Sequence, residues 1–173
     1  MSKRTTVKPI ELGYRPVGSA ANVEYTKVMG VLKGLTVGQD DPESTSIDAE
    51  FYDFPFDIFY DGNPVTLNFE LANYDLAELD DLFGGTSTAA SVSEEDTFEA
   101  PTATEPKEYE WKLSFQRGNG ALVIYRGLTI GTLKKDADGA LNSNITITSL
   151  LWTDTTQTPA VDHLYKIVGK KNA

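Results

Sequence analysis

Two aspartates followed by a glycine form the pattern in this sequence that is closest to a metal-binding loop. Asp136 and Asp138 are separated by one residue and precede Gly139, like the start of a calcium-binding EF-hand loop. That loop needs its glycine at position 6 and a bidentate glutamate at position 12. Here the glycine comes at position 4, and Ile147 occupies position 12. Aspartate and glycine are also the usual residues of hairpin turns, so the segment predicts a turn and no metal ligand.

Two other groups of carboxylates predict solvated surface. Glu94, Glu95 and Asp96 are adjacent within a stretch rich in serine and threonine, and Asp40 and Asp41 precede a proline. Weak Mg²⁺ binding is conceivable at the first group, but adjacent carboxylates without ligand spacing are typical of exposed loops.

His163 is the single histidine of the chain, and Asp162 beside it suggests an acid–base pair. Neighbouring side chains on a strand point to opposite faces, and no serine is placed to complete a triad. The chain has no cysteine, which excludes thiolate nucleophiles and cysteine-based metal sites. Neither glycine-rich phosphate-binding motif occurs. We therefore predict no catalytic, cofactor-binding or metal-ligating residue, and a protein that is not an enzyme.

The net charge of −11 is unevenly distributed along the chain. Residues 1–38 carry six Lys/Arg against two Glu, residues 39–110 one Lys against twenty Asp/Glu, and residues 111–173 eight Lys/Arg against four Asp, giving +4, −19 and +4. A protein that grips DNA needs a basic surface, which the acidic middle does not supply. Two interpretations stay open: a solvated acidic surface, or self-association in which acidic parts of one copy meet basic parts of the next. Three lysines near the C-terminus could contact nucleic acid, but they are more typical of a solvated tail: Lys166, Lys170 and Lys171.

The sequence also bears on where the protein folds. It lacks an apolar run near the roughly 18 residues that a membrane-spanning helix requires. Met1–Arg4 is basic but does not lead into the apolar region of a signal peptide. We expect a soluble protein that folds in the cytoplasm of the cell that makes it.

Alternation of apolar and polar residues predicts most of the secondary structure. Residues 50–60 place aromatic side chains on one face, and the Asp61–Pro64 turn signal joins them to residues 65–71 in a predicted β-hairpin. Residues 25–38 alternate around two glycines and predict a strand with a bulge. Further strands are predicted at residues 109–115, 122–125, 128–134, 145–148 and 162–168.

Residues 74–83 predict the one convincing helix. Leu76, Leu79 and Leu82 recur at helical spacing, Asp75 can cap the N-terminus, and a pair of glycines can end the helix. A helix this short depends on tertiary contacts, so we expect its leucines to pack on the sheet.

The remaining segments complete the predicted organisation. Residues 1–24 predict an N-terminal arm in which Lys8–Leu12 is a candidate strand, and residues 169–173 predict a C-terminal tail. Residues 86–107 are polar and predict an exposed loop with a short strand near Thr97–Glu99. Residues 25–168 then form one domain without βαβ alternation, which predicts a mainly β fold: an antiparallel β-sandwich or barrel with one short flanking helix.

The order of these elements resembles that of the major tail proteins, or tail tube proteins, of bacteriophages. In that family a strand such as Val65–Leu71 leads into a short amphipathic helix that ends in Gly-Gly, as at Tyr74–Thr86 here. Trp111–Phe115, Ala121–Leu128 and Ile145–Thr148 follow the family's general course.

This resemblance implies a structural virion protein. It implies a β-sandwich with a flanking helix, hexameric rings, and rings stacked into a hollow tail tube through which DNA passes without specific binding. The partners it implies are further copies of the same chain and other tail proteins, without membrane insertion. It also implies synthesis in the bacterial host cytoplasm and a final location in the virion tail; tube proteins of contractile injection machines share the fold.

The alternative function is a monomeric β-sandwich binding module for carbohydrate or a cell surface. Tyr52, Phe54 and Trp152 would then form a stacking platform, although an aromatic strand face is more often core. An enzyme is a third possibility, which would require a pocket joining two carboxylates with perturbed pKa values.

The charge pattern predicts an effect of salt on assembly. Complementary charge acts mainly on encounter rate, and the Debye length falls to about 3 Å at 1 M salt, so salt should slow polymerisation more than it dissolves finished tubes. Deletion of residues 1–24 is expected to impair stacking and to leave the sandwich folded. Sedimentation of the full-length and the truncated protein, each at low and high salt, tests the role of charge and of the arm in assembly. Equal polymerisation in all four samples would contradict it.

Overall fold

The computed structural model describes residues 9–29, 31–39, 44–47, 57–60, 63–72, 75–88, 97–100, 106–115, 120–135 and 141–169. It is mainly β, and each of its strand pairs is antiparallel, as predicted. The elements in chain order are β1 Pro9–Pro16, β2 Thr26–Lys27, β3 Val31–Gln39, β4 Ser44–Ile47, β5 Asp57–Tyr60, β6 Val65–Ala72, α1 Leu76–Phe83, β7 Thr86–Thr88, β8 Thr97–Glu99, β9 Lys107–Phe115, β10 Gly120–Lys135, β11 Leu141–Ser149, β12 Trp152–Asp154, β13 Val161–His163 and β14 Tyr165–Gly169.

The long strand β10 organises the main sheet, whose order is β2-β1-β9-β10-β11-β6-β3. Its first half, Gly120–Ile124, lies between β9 and β14, whereas Gly127–Lys135 pairs with β11. The register shifts between Ile124 and Gly127, as at a β-bulge, which bends a strand. We call β1, β2, β9, β14 and the first half of β10 the first layer. The second layer consists of β3, β6, β11 and the second half of β10.

Trp111 joins the two layers in one core. It is fully buried, and its ring centroid lies 5.2 Å from that of Tyr14 on β1 and 6.4 Å from that of Phe69 on β6. Since β1 and β6 are not neighbours in the sheet, these contacts require the sheet to fold over on itself. Gly127 permits the close packing, because a Cβ atom there would lie 2.7 Å from the indole of Trp111. The result is a β-sandwich and not a closed barrel.

The helix confirms the prediction in its position, its caps and its packing. The Asp75 carboxylate accepts the backbone N–H of Ala77 at 3.1 Å, and Gly84 ends the helix in the left-handed conformation with φ 75°. Leu79 and Leu82 are buried, while Leu76 is half-buried. Leu82 belongs to the same core cluster as Trp111, so the helix closes over the sandwich.

The predicted hairpin between residues 50–60 and 65–71 is wrong where the structure describes it. Strand β5 pairs with β4, and β6 lies between β3 and β11. The local turn signal favoured a hairpin, but the alternating apolar side chains of β6 need neighbours that share its core. Phe69 and Leu67 face Ile145 and Ile147 of β11 across the ladder, and all four side chains are buried. Residues 50–56 lie outside the described residues.

The N-terminal arm predicted for residues 1–24 also needs correction. Strand β1 lies inside the main sheet, between β2 and β9, and contributes Leu12 and Tyr14 to the core at 1% and 4% exposure. Deletion of residues 1–24 would remove this core strand, so the expectation that the sandwich would remain folded does not hold. Residues 1–8 lie outside the described residues.

Two local predictions are resolved by the remaining strands. The bulge expected within residues 25–38 is present in β3, where the register shifts between Lys33 and Thr36. The strand expected near Thr97–Glu99 is β8, and it pairs with β7 at the other end of the segment predicted as a loop. Part of residues 86–107 is therefore a two-stranded sheet; residues 89–96 and 101–105 lie outside the described residues.

Truncation of a helix leucine tests the packing of α1. We expect Leu79→Ala to lower the free energy of unfolding by about 2–5 kcal/mol, because it removes a fully buried side chain and leaves a cavity. Leu76→Ala on the same helix is the matched control and should cost about 1 kcal/mol, since Leu76 is only half-buried. Urea unfolding measures both, and equal losses would contradict the assignment of the buried face.

Candidate functional site

Most of the charged motifs singled out in the sequence lie outside the described residues. The candidate calcium loop, the two acidic groups and the last two lysines lie outside the described residues, as do Tyr52 and Phe54. Within the described residues, no group of three or more histidines or carboxylates is placed to hold a metal ion. No helix in those ranges has the length and apolar character to cross a membrane.

His163 and Asp162 do not form an acid–base pair. The carboxylate of Asp162 accepts the hydroxyl of Thr153 at 2.7 Å, across the β12–β13 ladder. The imidazole of His163 lies among aromatic rings instead, 5.1 Å from Tyr125 and 6.0 Å from Trp152 between centroids. The two side chains point apart, as their adjacency on a strand predicts.

Trp152 stacks on the bulge of β10. Its ring is nearly parallel to that of Tyr125, with 5.2 Å between centroids and 6° between planes. This stack holds the β12–β13 hairpin against the first layer. Trp152, one residue of the predicted aromatic platform, therefore has a packing role. It is only half-buried, so part of its ring remains accessible.

A buried ion pair lies on the outer side of the first layer, away from the core. Arg15 on β1 and Glu110 on β9 are opposite each other in register and bond at 2.8 Å, with side-chain exposures of 11% and 8%. The guanidinium also donates to the carbonyl oxygens of Ala20 and Val23 at 3.2 Å and 2.7 Å. The Arg15 guanidinium therefore holds the loop between β1 and β2 against the sheet by hydrogen bonds.

Tyr25 completes this cluster. Its hydroxyl donates to the same Glu110 oxygen that Arg15 uses, and its ring lies 4.4 Å below the Arg15 guanidinium. Burial and the hydrogen bond to Glu110 raise the pKa of the Tyr25 hydroxyl well above its ordinary value. The hydrogen bond to Glu110 likewise raises the pKa of Arg15, so both groups stay protonated through the physiological range.

Two lysines extend this surface. Lys112 on β9 lies 5.3 Å above the ring of Tyr25, and Lys166 on β14 lies 5.1 Å above the ring of Tyr125. Both lysines are opposite Val123 of β10, one on each side of it. We call this surface the cationic–aromatic face, defined by Arg15, Tyr25, Lys112, Tyr125 and Lys166.

The outer side of the second layer has a different chemistry. Adjacent strands there place hydroxyl and amide side chains in rows, and the Thr146 hydroxyl donates to the amide oxygen of Asn68 at 2.8 Å. Across β10, β11, β6 and β3, the two rows that end at Thr36 and Gly38 contain no charged residue, and Leu128 and Ile130 are their apolar members. The row of Thr132 and Asn144 continues to Glu70 and Lys33, which are opposite in charge and face each other in register. We call this surface the hydroxyl–amide face, defined by Thr36, Thr66, Asn68, Thr132, Asn144, Thr146 and Thr148.

The layers separate at one side of the sandwich and leave an apolar groove of about 340 Å³. Val37 and Gln39 of β3 line one wall, and Tyr165 and Ile167 of β14 line the other. The Tyr165 hydroxyl and the Gln39 side-chain oxygen lie 3.3 Å apart across the groove. Ile167 is 70% exposed, so this apolar surface is accessible in the described chain.

No protein-family model matches this chain, and no curated protein matches it. Its surfaces must therefore be interpreted from their own chemistry.

The faces described above were only partly predictable from sequence. Trp152 was singled out for its aromatic ring, but the Arg15–Glu110 pair joins residues 95 positions apart and leaves no local pattern.

The buried pair gives a test of the first layer. We expect Arg15→Met to lower the free energy of unfolding by about 3–5 kcal/mol, because it leaves the Glu110 carboxylate buried without its cation. Lys27→Met is the matched control: Lys27 pairs with Glu11 at 3.1 Å, but the two side chains are 63% and 44% exposed. Such a pair contributes about 0–1 kcal/mol. Denaturant unfolding compares the two, and a small loss for Arg15→Met would show that the buried pair does not support the layer.

Proposed function

We propose that this protein is the repeating subunit of a bacteriophage tail tube. Its copies form closed rings of six, the rings stack into a hollow tube, and DNA passes through the lumen without being specifically bound. The protein is made in the cytoplasm of the bacterial host and ends in the virion tail, where it also contacts other tail proteins.

The contrast between the two outer faces is the observation that carries this proposal. DNA is a polyanion, and lysine or arginine on a channel wall would hold its phosphates. The hydroxyl–amide face has the chemistry required of the wall, because its Thr and Asn side chains remain hydrated and two of its rows are uncharged. The cationic–aromatic face lies on the other layer and would face away from the DNA.

Exposed apolar residues supply further support. A closed ring is built head to tail, so each subunit needs two different surfaces that complement each other. Ile167 in the first layer is 70% exposed, and Leu133 in the second layer is 58% exposed. These residues lie on different layers and would be buried in subunit contacts, whereas charge complementarity would guide the encounter.

The alternative function, a monomeric binding module, is favoured by the partly accessible Trp152 and its neighbours. The two functions differ in oligomeric state. Electron microscopy of the concentrated protein should show rings or tubes with a hollow centre for a tail tube subunit. A protein that remains monomeric at every concentration would exclude the tube.

Cysteine labelling can then locate the channel wall. The chain has no cysteine, so a single introduced thiol is the only reactive one. We expect Thr132→Cys, on the hydroxyl–amide face, to react with a bulky polyethylene-glycol maleimide in free subunits and to be protected in assembled tubes. A small maleimide that can diffuse into the lumen should label it in both states.

Thr155→Cys, in the exposed turn after β12, is the control and should react with the bulky reagent in both states. Full labelling of Thr132→Cys in intact tubes would place the hydroxyl–amide face outside the lumen. The proposal of a tail tube would still hold, but another surface of the subunit would line the lumen.

A further inference from the structure

A hollow of about 310 Å³ opens beside the Tyr125–Trp152 stack on the outer side of the first layer. Its walls come from three separate parts of the fold: the loop after β1, the strands β9 and β10, and the β12–β13 hairpin. The lining residues include Ser19, Glu110, Tyr125, Trp152, Asp154 and Thr156. The volume is at the small end of the range for ligand sites.

Glu110 gives this hollow a buried polar group with spare capacity. The residue is only 6% exposed, and Arg15 and Tyr25 both bond to its Oε1 atom. No described residue donates to its second oxygen, Oε2, and this oxygen is not one of the fully buried atoms that lack a partner. A ligand hydroxyl that reaches it would replace water and form a charge-assisted hydrogen bond.

Asp154 provides a second carboxylate in the lining, on the β12–β13 hairpin, and hydrogen bonds hold it in place. Its Oδ1 accepts the backbone N–H and the hydroxyl of Thr156 at 2.9 Å and 2.6 Å, and its Oδ2 accepts the Gln157 amide at 2.8 Å. These hydrogen bonds, those of Thr156 first, lower the pKa of Asp154, so it remains ionised at neutral pH. A carboxylate has about four lone-pair positions, so it can accept a further donor from the hollow.

The charge state of the two carboxylates decides between two ligand classes. An aromatic ring beside carboxylates can bind either an organic cation or a sugar, whose C–H face packs on the ring while its hydroxyls reach the carboxylates. Arg15 already neutralises Glu110, so only the Asp154 carboxylate would attract a cation. The hydroxyls of a neutral sugar can donate to both carboxylates.

We infer that this hollow binds one neutral pyranose ring, which packs on Trp152 and donates hydroxyl hydrogen bonds to Glu110 and Asp154. The site is complete within one chain, so it functions without any contact between subunits. It is independent of the tail tube proposal, and either can fail alone.

Tryptophan fluorescence can measure this binding directly. The chain has two tryptophans, and Trp111 is fully buried, so a ligand-dependent change in emission reports on Trp152. Titration of the full chain with glucose, galactose, mannose and N-acetylglucosamine should give a saturable change with at least one of them. Saturation-transfer NMR of the same samples should show the ring C–H protons of that sugar in contact with the protein.

Two variants with a matched control assign the site. Asp154→Asn should weaken binding of that sugar by about tenfold, equivalent to about 1.4 kcal/mol, and Trp152→Ala should abolish it in NMR. Asp162→Asn changes an exposed carboxylate on the neighbouring strand that does not line the hollow, and it should bind like the unaltered protein. Glu110 is left unchanged because it also supports the fold.

Three outcomes would overturn the inference. The first is no saturable response to any of the four sugars by either method. The second is an equal loss of affinity in Asp154→Asn and Asp162→Asn. The third is saturable binding of choline, tested as an organic cation, without binding of any sugar.

Discussion

The packing of Trp111 between two layers that share β10 is the constraint on which the rest of the structure depends. Because β10 passes from one layer to the other at its bulge, the layers cannot move independently, and Trp111 fixes their separation by contacting Tyr14 and Phe69. The indole N–H donates to Thr129 at 3.1 Å, so the core has no unpaired group at this point. The two outer faces are opposite each other for the same reason.

This arrangement lets one small domain carry two surfaces of different chemistry. Alternation along a strand sends every second side chain outward, and the core residues of each layer determine which ones. On β9, Trp111 and Leu113 point inward, so Glu110 and Lys112 must point outward. The charged and aromatic groups of the first layer are thus a direct consequence of where its apolar residues lie.

Local signals in the sequence determined the elements that were predicted well. The helix was predicted with its Asp75 cap and Gly84 terminus because both features act within a few residues of the helix ends. The strands around Trp111 and Ile145 were predicted because their alternation is strong. Strand identity is a local property, so sequence alone was sufficient.

Strand pairing is not local, and there the sequence was insufficient. The turn signal after β5 suggested a hairpin with β6, but β6 has its two neighbours elsewhere in the chain. Strand β1 was expected only as a short candidate strand within an arm, because its glycine and prolines obscure the alternation of Leu12 and Tyr14. The hollow beside Trp152 was beyond prediction for the same reason: Glu110 reaches it only through the register of β1, β9 and β10.

The position of β1 has a consequence for how the chain folds as it is synthesised. Arg15 and Glu110 are 95 residues apart. At a translation rate of about 5–20 residues per second, the N-terminal strand therefore waits roughly 5–20 s for its partner to be made. During that interval β1 can pair with β2, but its other edge, which β9 will occupy, stays open and can join other chains. The nascent polypeptide is thus most vulnerable to aggregation before β9 leaves the ribosome.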